Sequence, residues 1–335
     1  MAQYHFLRDD VIKMLEKGTL LTEGPGEPTR FSYAEGIIET GRKHPEVVVL
    51  DADVSKGVRT CDFACEFPDR EYNFGISEQN MVAAAAGMAT YGLVPFVTTY
   101  AIFVALRALD QVRNSICYTN LNVKIAASHS GITASPDGVT HQGQEDLTIM
   151  RAMPNMTVIA PADPVSTKMA TEAMASFTGP AYLSLTRWAV PVLYRDDYPM
   201  ELGKAVTIRD GADATIIANR DMVVQSLVAA QELAGEGLDV RVIDCHTLKP
   251  LDTETILSAA SETGAIVTAE DNVINGGLGS AVAEVLVEND PVPMQRIGVR
   301  DTFAESGPYP ELIDKYGLSA RHIAQAVRQV ITRKN

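Results

Sequence analysis

The sequence predicts an α/β fold of two three-layer α/β domains with mostly parallel sheets. Three observations carry that expectation. Short apolar runs alternate with helix-length segments along most of the chain, the order that parallel strands and crossover helices produce. The runs are apolar on both faces, as in VVVLDAD (47–53), which is how strands covered by helices on both sides read. The length of 335 residues fits two domains at about 150 residues each.

Taken in order, residues 1–29 read as an N-terminal helical extension: an amphipathic helix followed by a loop containing TEGPGEP. A helix over 31–43 leads into the strand at 47–53. An alanine-rich helix spans 77–91 and stops at Gly92. Strand 94–99, helix 102–118, strand 123–128, a long polar loop (129–143), helix 144–151, strand 157–161, helix 164–177 and strand 181–185 complete a first domain assigned to 30–195. Residues 190–213 change character, with two prolines and mixed charge, and mark the linker. The second domain, 205–335, resumes the alternation: strands at 214–218, 239–244, 265–270 and 294–299, with helices at 221–235, 252–263, 277–289 and 319–333.

Composition excludes several classes. Lys and Arg total 28 against 43 Asp and Glu, a net charge of -15, which opposes a broad nucleic-acid or anionic-membrane surface. The four cysteines form no CxxC and read as reduced thiols of a cytoplasmic protein. Arg8, Asp9 and Asp10 break the apolar character of the start, unlike a signal peptide. No apolar stretch approaches the roughly 20 residues of a membrane span.

The segment HSGITASPDGVTHQGQEDL (129–147) stands out. It follows a strand, and such loops line the ligand crevice of open parallel sheets. His129, Asp137 and His141 are its candidates for proton transfer and hydroxyl binding. His129, His141 and Glu145 match no standard metal spacing, so no metal site is assigned. Glu78 opens the alanine-rich helix; alone it reads as a carboxylate favoured by the helix dipole. Met81–Ala86 is apolar all round and is expected to be buried. Tyr100, Phe103 and Leu106 share one helical face, and core packing is the simpler reading. Arg30 and Arg187 are single arginines whose forks suit phosphate, although most arginines are merely solvated. GGLGSAV (276–282) does not complete a dinucleotide fingerprint, which disfavours a nicotinamide oxidoreductase.

In combination and in this order, LDADVS, NFGISEQNMVAAAAGMA, FVTTYAIFVALRALDQVR, HSGITASPDGVTHQGQEDL, MRAMPNMTVIAPAD and LSLTR resemble the C-terminal half of a transketolase. They look like its pyrimidine-binding domain, and the segment with TAEDNVINGGLGSAVAEVL looks like its C-terminal domain. The resemblance covers about residues 30–330. Deoxyxylulose-phosphate synthases and the β subunits of 2-oxoacid dehydrogenases share parts of the pattern, and DGVTHQ favours the first two families over the third.

The resemblance implies roles. Glu78 matches the glutamate that hydrogen-bonds the aminopyrimidine of thiamine diphosphate and exchanges a proton with it. Phe103 matches the aromatic packed on the pyrimidine, and Tyr100 stands where the family often has Phe. Asp53, within LDADVS, goes with the cofactor-binding set. His129 and His141 match histidines that contact substrate hydroxyls and carbonyl, and Asp137 the acid that reads a donor hydroxyl. Arg30 and Arg187 match the pair that holds a substrate phosphate. Departures occur at Leu106, where many transketolases have Tyr, and at Gly57, near a serine that usually helps bind phosphate, with Lys56 beside it. The terminal anion is therefore left open between phosphate and sulfonate.

No GDG with a later Asn occurs, so the diphosphate and its Mg²⁺ (or Ca²⁺) fall to a partner chain. The chain looks like the C-terminal subunit of a split transketolase, active only with an N-terminal subunit, in an α2β2 heterotetramer whose like chains also pair. It is expected to move a two-carbon ketol unit between phosphorylated or similarly anionic sugars. The alternatives are a 2-oxoacid dehydrogenase-type β subunit, a deoxyxylulose-phosphate-synthase-like enzyme and a non-catalytic scaffold subunit. The hydroxyl-reading set His129, Asp137 and His141 separates the first reading from these, and Glu78 with both histidines argues against a silent scaffold.

Overall fold

The computed structural model describes residues 3–23 and 26–334; Gly24 and Pro25 of the expected TEGPGEP loop lie outside them. A seven-stranded sheet runs in the order Thr247–Lys249, Thr157–Ile159, Ala181–Ser184, Lys124–Ser128, Val94–Tyr100, Val47–Asp51, Glu71–Asn73. Its last six strands are mutually parallel. Alternation along each strand splits the core between the faces. Val47 and Val49 join Tyr33, Ile37, Phe63, Ala170 and Met174 on one side. Val48 and Leu50 join Met81, Val82, Ala85, Val104 and Met150 on the other. Both faces are thus covered, and strands Val47–Asp51 and Lys124–Ser128 are buried at every position.

The second sheet has five strands: Met294–Val299, Ile266–Val273, Ala214–Ala218, Val240–Asp244 and Val206–Arg209. The first four are parallel and the last is antiparallel. The chain is therefore two α/β units with mostly parallel sheets, as the sequence predicts.

Five short strands depart from the expected plan. Glu71–Asn73 closes one edge of the large sheet. Residues 190–213 are not a plain linker: Ala189–Pro191 pairs antiparallel with Gly26–Pro28, and Val206–Arg209 forms the edge of the second sheet. Thr247–Lys249, from the second unit, pairs antiparallel with Thr157–Ile159 and so completes the first sheet. Edge and ribbon strands this short bury too little to imprint a hydrophobic pattern.

The extension forms helices Asp9–Lys17 and Leu20–Glu23. Leu7, Val11, Leu15 and Leu20 enter one core with Tyr194 and with Met222 and Leu227 of the second unit. The expected helix 102–118 is irregular, with wide π-helical turns at Phe103–Arg107 and Val112–Cys117 around Leu109–Gln111. The extra residue per turn rotates Leu106 outward, leaving it 53% exposed. The helix Glu78–Thr90 is not wholly buried either, since Gln79, Asn80, Ala83 and Gly87 face outward.

A buried polar network ties the two units together beneath the histidine loop. Asn272 Nδ2 donates to the carbonyls of Gly143 (3.2 Å) and Gln144 (3.1 Å) and to Asp146 Oδ1 (2.6 Å). Tyr182 and Ser184 hydroxyls donate to Asp146 Oδ2 at 2.7 and 3.2 Å. Arg220 donates to Ser184 Oγ (2.6 Å) and Asn272 Oδ1 (2.8 Å) and pairs with Asp271. Every one of these side chains is fully buried. Removing one member of such a set strands a charge away from water. Arg220→Met is therefore expected to destabilise the chain by about 3–5 kcal/mol, read by chemical denaturation. A loss below about 1 kcal/mol would place the tie between the units elsewhere.

Candidate active site

The candidate residues converge where the parallel strands of the large sheet end. Tyr100 closes strand Val94–Tyr100, His129 follows strand Lys124–Ser128, and Arg187 follows strand Ala181–Ser184 by three residues. Glu78 opens the helix after the edge strand Glu71–Asn73. Strand C-termini are where open parallel sheets bind ligands.

Two threonines set the arginines side by side. The Thr29 amide donates to Thr186 Oγ1 (3.2 Å), the Thr186 amide donates to Thr29 Oγ1 (2.8 Å), and the hydroxyls are 3.1 Å apart. This reciprocal clamp joins segments distant in sequence, and Arg30 and Arg187 are the residues that follow each threonine. The ribbon of Gly26–Pro28 and Ala189–Pro191 fixes the other flank. Arg30 donates through Nη1 to the Gly57 carbonyl, while its Nε is buried without a partner. Burial, then the neighbouring Arg187 charge, lowers its pKa. Arg187 Nε lies 3.1 Å from Asp137 Oδ2.

His129 is 1% exposed and adopts φ +64°, a left-handed conformation. Its carbonyl accepts from the Gly143 amide at 3.1 Å, closing the loop on itself. Nδ1 lies 2.7 Å from Ser128 Oγ, and Nε2 is 3.6 Å from Asp137 Oδ2. Burial pushes its pKa down to about 2, helped by the charges of Arg30 and Arg187. The ring is therefore neutral at working pH, a donor at one nitrogen and an acceptor at the other. Tyr100 lies against it, with centroids 3.9 Å apart, and is 5.5 Å from Phe103 and 5.9 Å from His141. Phe103 and His141 meet edge-on at 5.4 Å.

Gly57 makes room for Tyr100, since a Cβ there would run into the tyrosine hydroxyl. That hydroxyl thus stands beside the Arg30 anchor point. Burial raises its pKa.

Glu78 is 1% exposed, and both its oxygens accept from Arg107 Nη1 at 2.8 Å. The same guanidinium lies over the Phe103 ring at 4.4 Å. Around the cluster, Ile76, Leu106, Val139 and Phe303 are exposed apolar side chains.

Eight of the nine expected residues thus occupy one crevice. Asp53 does not join it: it is exposed with φ +62°, and no hydrogen bond ties its side chain to the others. The buried carboxylate of that segment is Asp51, which accepts from the Val54 amide and Thr60 Oγ1, both at 3.0 Å. The sequence reading missed Arg107, whose signal is a lone charge in the apolar run AIFVALRAL. It also missed the Thr29–Thr186 clamp, which leaves no local signal.

The residues fit one end of a thiamine-type cofactor. A buried carboxylate at a helix start and an aromatic ring, bridged here by the Arg107 guanidinium, suit a flat nitrogen heterocycle. Among the described residues no three His, Cys, Asp or Glu side chains gather into a metal-holding group.

The chain matches the transketolase pyrimidine-binding domain over residues 28–192 and the transketolase C-terminal domain over 203–323. It belongs to the transketolase family. It is 42% identical to a 6-deoxy-6-sulfo-D-fructose transketolase subunit of a Clostridium species, over 91% of this chain and 95% of that one. It is also 42% identical to a putative transketolase C-terminal section of Methanocaldococcus jannaschii, over 90% and 95%. A solved chain described as a split gene transketolase, inactive beta4 tetramer, shares 44% identity with a TM-score of 0.86, over 93% of this chain and all of that one. The chain is thus a split-transketolase-type subunit. Among the described residues no helix is long and apolar enough to cross a membrane.

Acid should test the burial of His129. The folded chain binds its proton only near pH 2, whereas the unfolded chain does so near 6.5. Protons therefore favour the unfolded state below pH 6.5. The stability His129 contributes is complete above that pH and drains as pH falls, by at most about 1.4 kcal/mol per unit. His129→Asn should flatten the slope of stability against pH between about 5 and 6.5 by that amount, measured by urea unfolding. An unaltered slope would assign the proton uptake to another group, such as His246, whose pKa burial also lowers, to about 4.

Proposed function

We propose that this chain is the C-terminal subunit of a heteromeric, thiamine-diphosphate-dependent transketolase that moves a two-carbon ketol unit between anionic sugars. The observation that carries the reading is the convergence in one crevice of Glu78 and Phe103, of His129, Asp137 and His141, and of Arg30 and Arg187. In this reading residues 30–195 form the pyrimidine-binding unit and 205–335 the C-terminal unit. An N-terminal partner supplies the diphosphate and Mg²⁺ (or Ca²⁺) site in an α2β2 assembly in the cytoplasm. The outward face of helix Glu78–Thr90, lined by Gln79, Asn80, Ala83 and Gly87, gives an apposed chain room for close approach.

When bound, thiamine diphosphate supplies the nucleophilic carbon that takes up the ketol unit. Glu78 holds a proton at the pyrimidine ring nitrogen, and Phe103 offers the ring a flat apolar seat. His129, neutral and fixed by Ser128, presents Nε2 to a substrate oxygen. Asp137, oriented by Arg187, accepts from a sugar hydroxyl, and His141 borders the same space over Phe103. Lewis-acid and diphosphate chemistry falls to the partner.

The far end of the sugar meets Arg30 Nε, the Nη groups of Arg187 and the Tyr100 hydroxyl. This set is cationic and suits an anionic terminus. By name, one relative acts on 6-deoxy-6-sulfo-D-fructose and another, 35% identical and from Phocaeicola vulgatus, is a subunit of an apulose-4-phosphate transketolase. Those termini are a sulfonate and a phosphate, and both are anions.

Reconstitution is the decisive experiment. Purified alone with thiamine diphosphate and Mg²⁺, the chain is expected to show no ketol transfer, and the N-terminal partner should restore it. Glu78→Gln should fold normally by circular dichroism but lower reconstituted turnover by about a hundredfold or more. Robust activity of the lone chain, or near wild-type turnover of Glu78→Gln, would falsify the reading.

A paired substitution tests the anion end. Tyr100→Phe removes one hydrogen bond to a charged group, about 1.5–3 kcal/mol, and should raise KM for anionic acceptors roughly tenfold or more. Gly57→Ser alone should do at least as much harm, because its side chain displaces the tyrosine. The double variant should recover part of the loss. Glycolaldehyde, which has no anion, should be affected little by any of them. Additive losses in the double variant would mean that the two positions act independently.

A further inference from the structure

We propose that Arg107 is a latch: in the chain without cofactor its guanidinium occupies the seat meant for the pyrimidine ring and must swing out before that seat fills. The inference rests on the cofactor reading given above and adds a competitor for the same site within the chain.

Geometry carries the argument. A bound aminopyrimidine needs a carboxylate toward which a ring nitrogen points and an aromatic face on which to lie. Arg107 meets both requirements at once. Its Nη1 donates to Glu78 Oε1 and Oε2 at 2.8 Å each. Its planar Cζ centre lies 4.4 Å over the Phe103 ring. The guanidinium is flat, delocalised and rich in N–H donors, so it imitates the heterocycle in shape and in hydrogen bonding. With Arg107 in place, both Glu78 oxygens are taken and the Phe103 face is covered.

The two partners differ in freedom. Glu78 is 1% exposed and fixed at a helix start, whereas the Arg107 side chain is 46% exposed. Arg107 ends the wide π-helical turn Phe103–Arg107, and the next residue, Ala108, leaves the helical region at φ −106°, ψ 14°. Short π-helical turns recur at functional sites. Arg107 can therefore leave by side-chain rotation while Glu78 and Phe103 stay where a ligand needs them. Thermodynamically the latch divides cofactor affinity by one plus its own closing constant.

The test is a binding measurement. The full chain is assembled with its N-terminal partner, and thiamine diphosphate with Mg²⁺ is titrated by calorimetry. Arg107→Met keeps an unbranched apolar stem over Phe103 but loses the donor plane. It should bind the cofactor about three- to tenfold more tightly than wild type, the range expected for a half-exposed ion pair on a buried carboxylate. Arg107→Lys, charged but not planar, should fall between. As a second readout, side-chain NMR of ¹⁵N-arginine-labelled protein should show the Arg107 guanidinium restrained in the isolated chain. It should be freed by Glu78→Gln and, in the assembly, by saturating cofactor. Unchanged or weaker binding by Arg107→Met, or a guanidinium that stays restrained in the saturated assembly, overturns the latch. Failure of the wild-type assembly to bind the cofactor at all overturns the cofactor reading instead, so the two failures are distinguishable.

Discussion

The arrangement depends on the grip of Asn272 and Asp146 on the histidine loop. That loop carries His129, Asp137 and His141, and besides its own turns its backbone is tied to the rest of the chain at few points, among them Ser130 to Leu185 and Gln144 to Val273. Asn272, from a strand of the second sheet, donates to two loop carbonyls and to Asp146. Asp146 is in turn held by Tyr182 and Ser184 of the first sheet. The loop is thus wedged between the two units, and a shift of either unit moves His129, Asp137 and His141 with it. Hydrogen bonds in such a buried network are strengthened by the low dielectric around them. Here Arg220 completes the set by reaching Ser184, Asn272 and Asp271.

Electrostatics then divides the crevice. At one end the charge of Arg187 is felt by Arg30, and the charges of both by His129. The neutral imidazole separates this cationic end from the carboxylate of Glu78, with Tyr100 and Phe103 between. The cluster therefore runs from a cationic end through a neutral imidazole and two aromatic rings to a buried carboxylate. The order follows from which strand each residue ends.

Much of this was legible in the sequence. Central strands such as VVVLD and KIAAS announce themselves because both faces are buried and nearly every residue between their ends is apolar. Glu78, His129, Asp137 and Arg187 were legible because they stand just after such strands or at a helix start, where a motif can be matched. What escaped was non-local. Thr29 and Thr186 meet only in the folded chain, and neither residue is unusual where it stands. Short edge strands such as Val206–Arg209 carry too few residues for a period to appear. The π-helical turn at Phe103–Arg107 escaped because its composition is that of an ordinary helix, so Leu106 was assigned to the core and Arg107 went unnoticed. Asp53 was chosen by its place in a motif, yet the neighbouring Asp51 is the carboxylate that the fold buries.

One strand has a consequence for how the chain is made. Thr247–Lys249 belongs by sequence to the second unit but pairs with Thr157–Ile159 of the first. As the polypeptide leaves the ribosome, the first sheet is complete in every other strand while that edge still offers unpaired amides and carbonyls. Exposed edges of this kind invite pairing with other chains, and the seal arrives only some sixty residues after Ser184, where the last of the other strands ends. A fragment ending before residue 247 would keep that edge open. The two units are therefore separable as families of sequence but not as independently finished objects, and recombining them between relatives must carry this strand along with the sheet it closes.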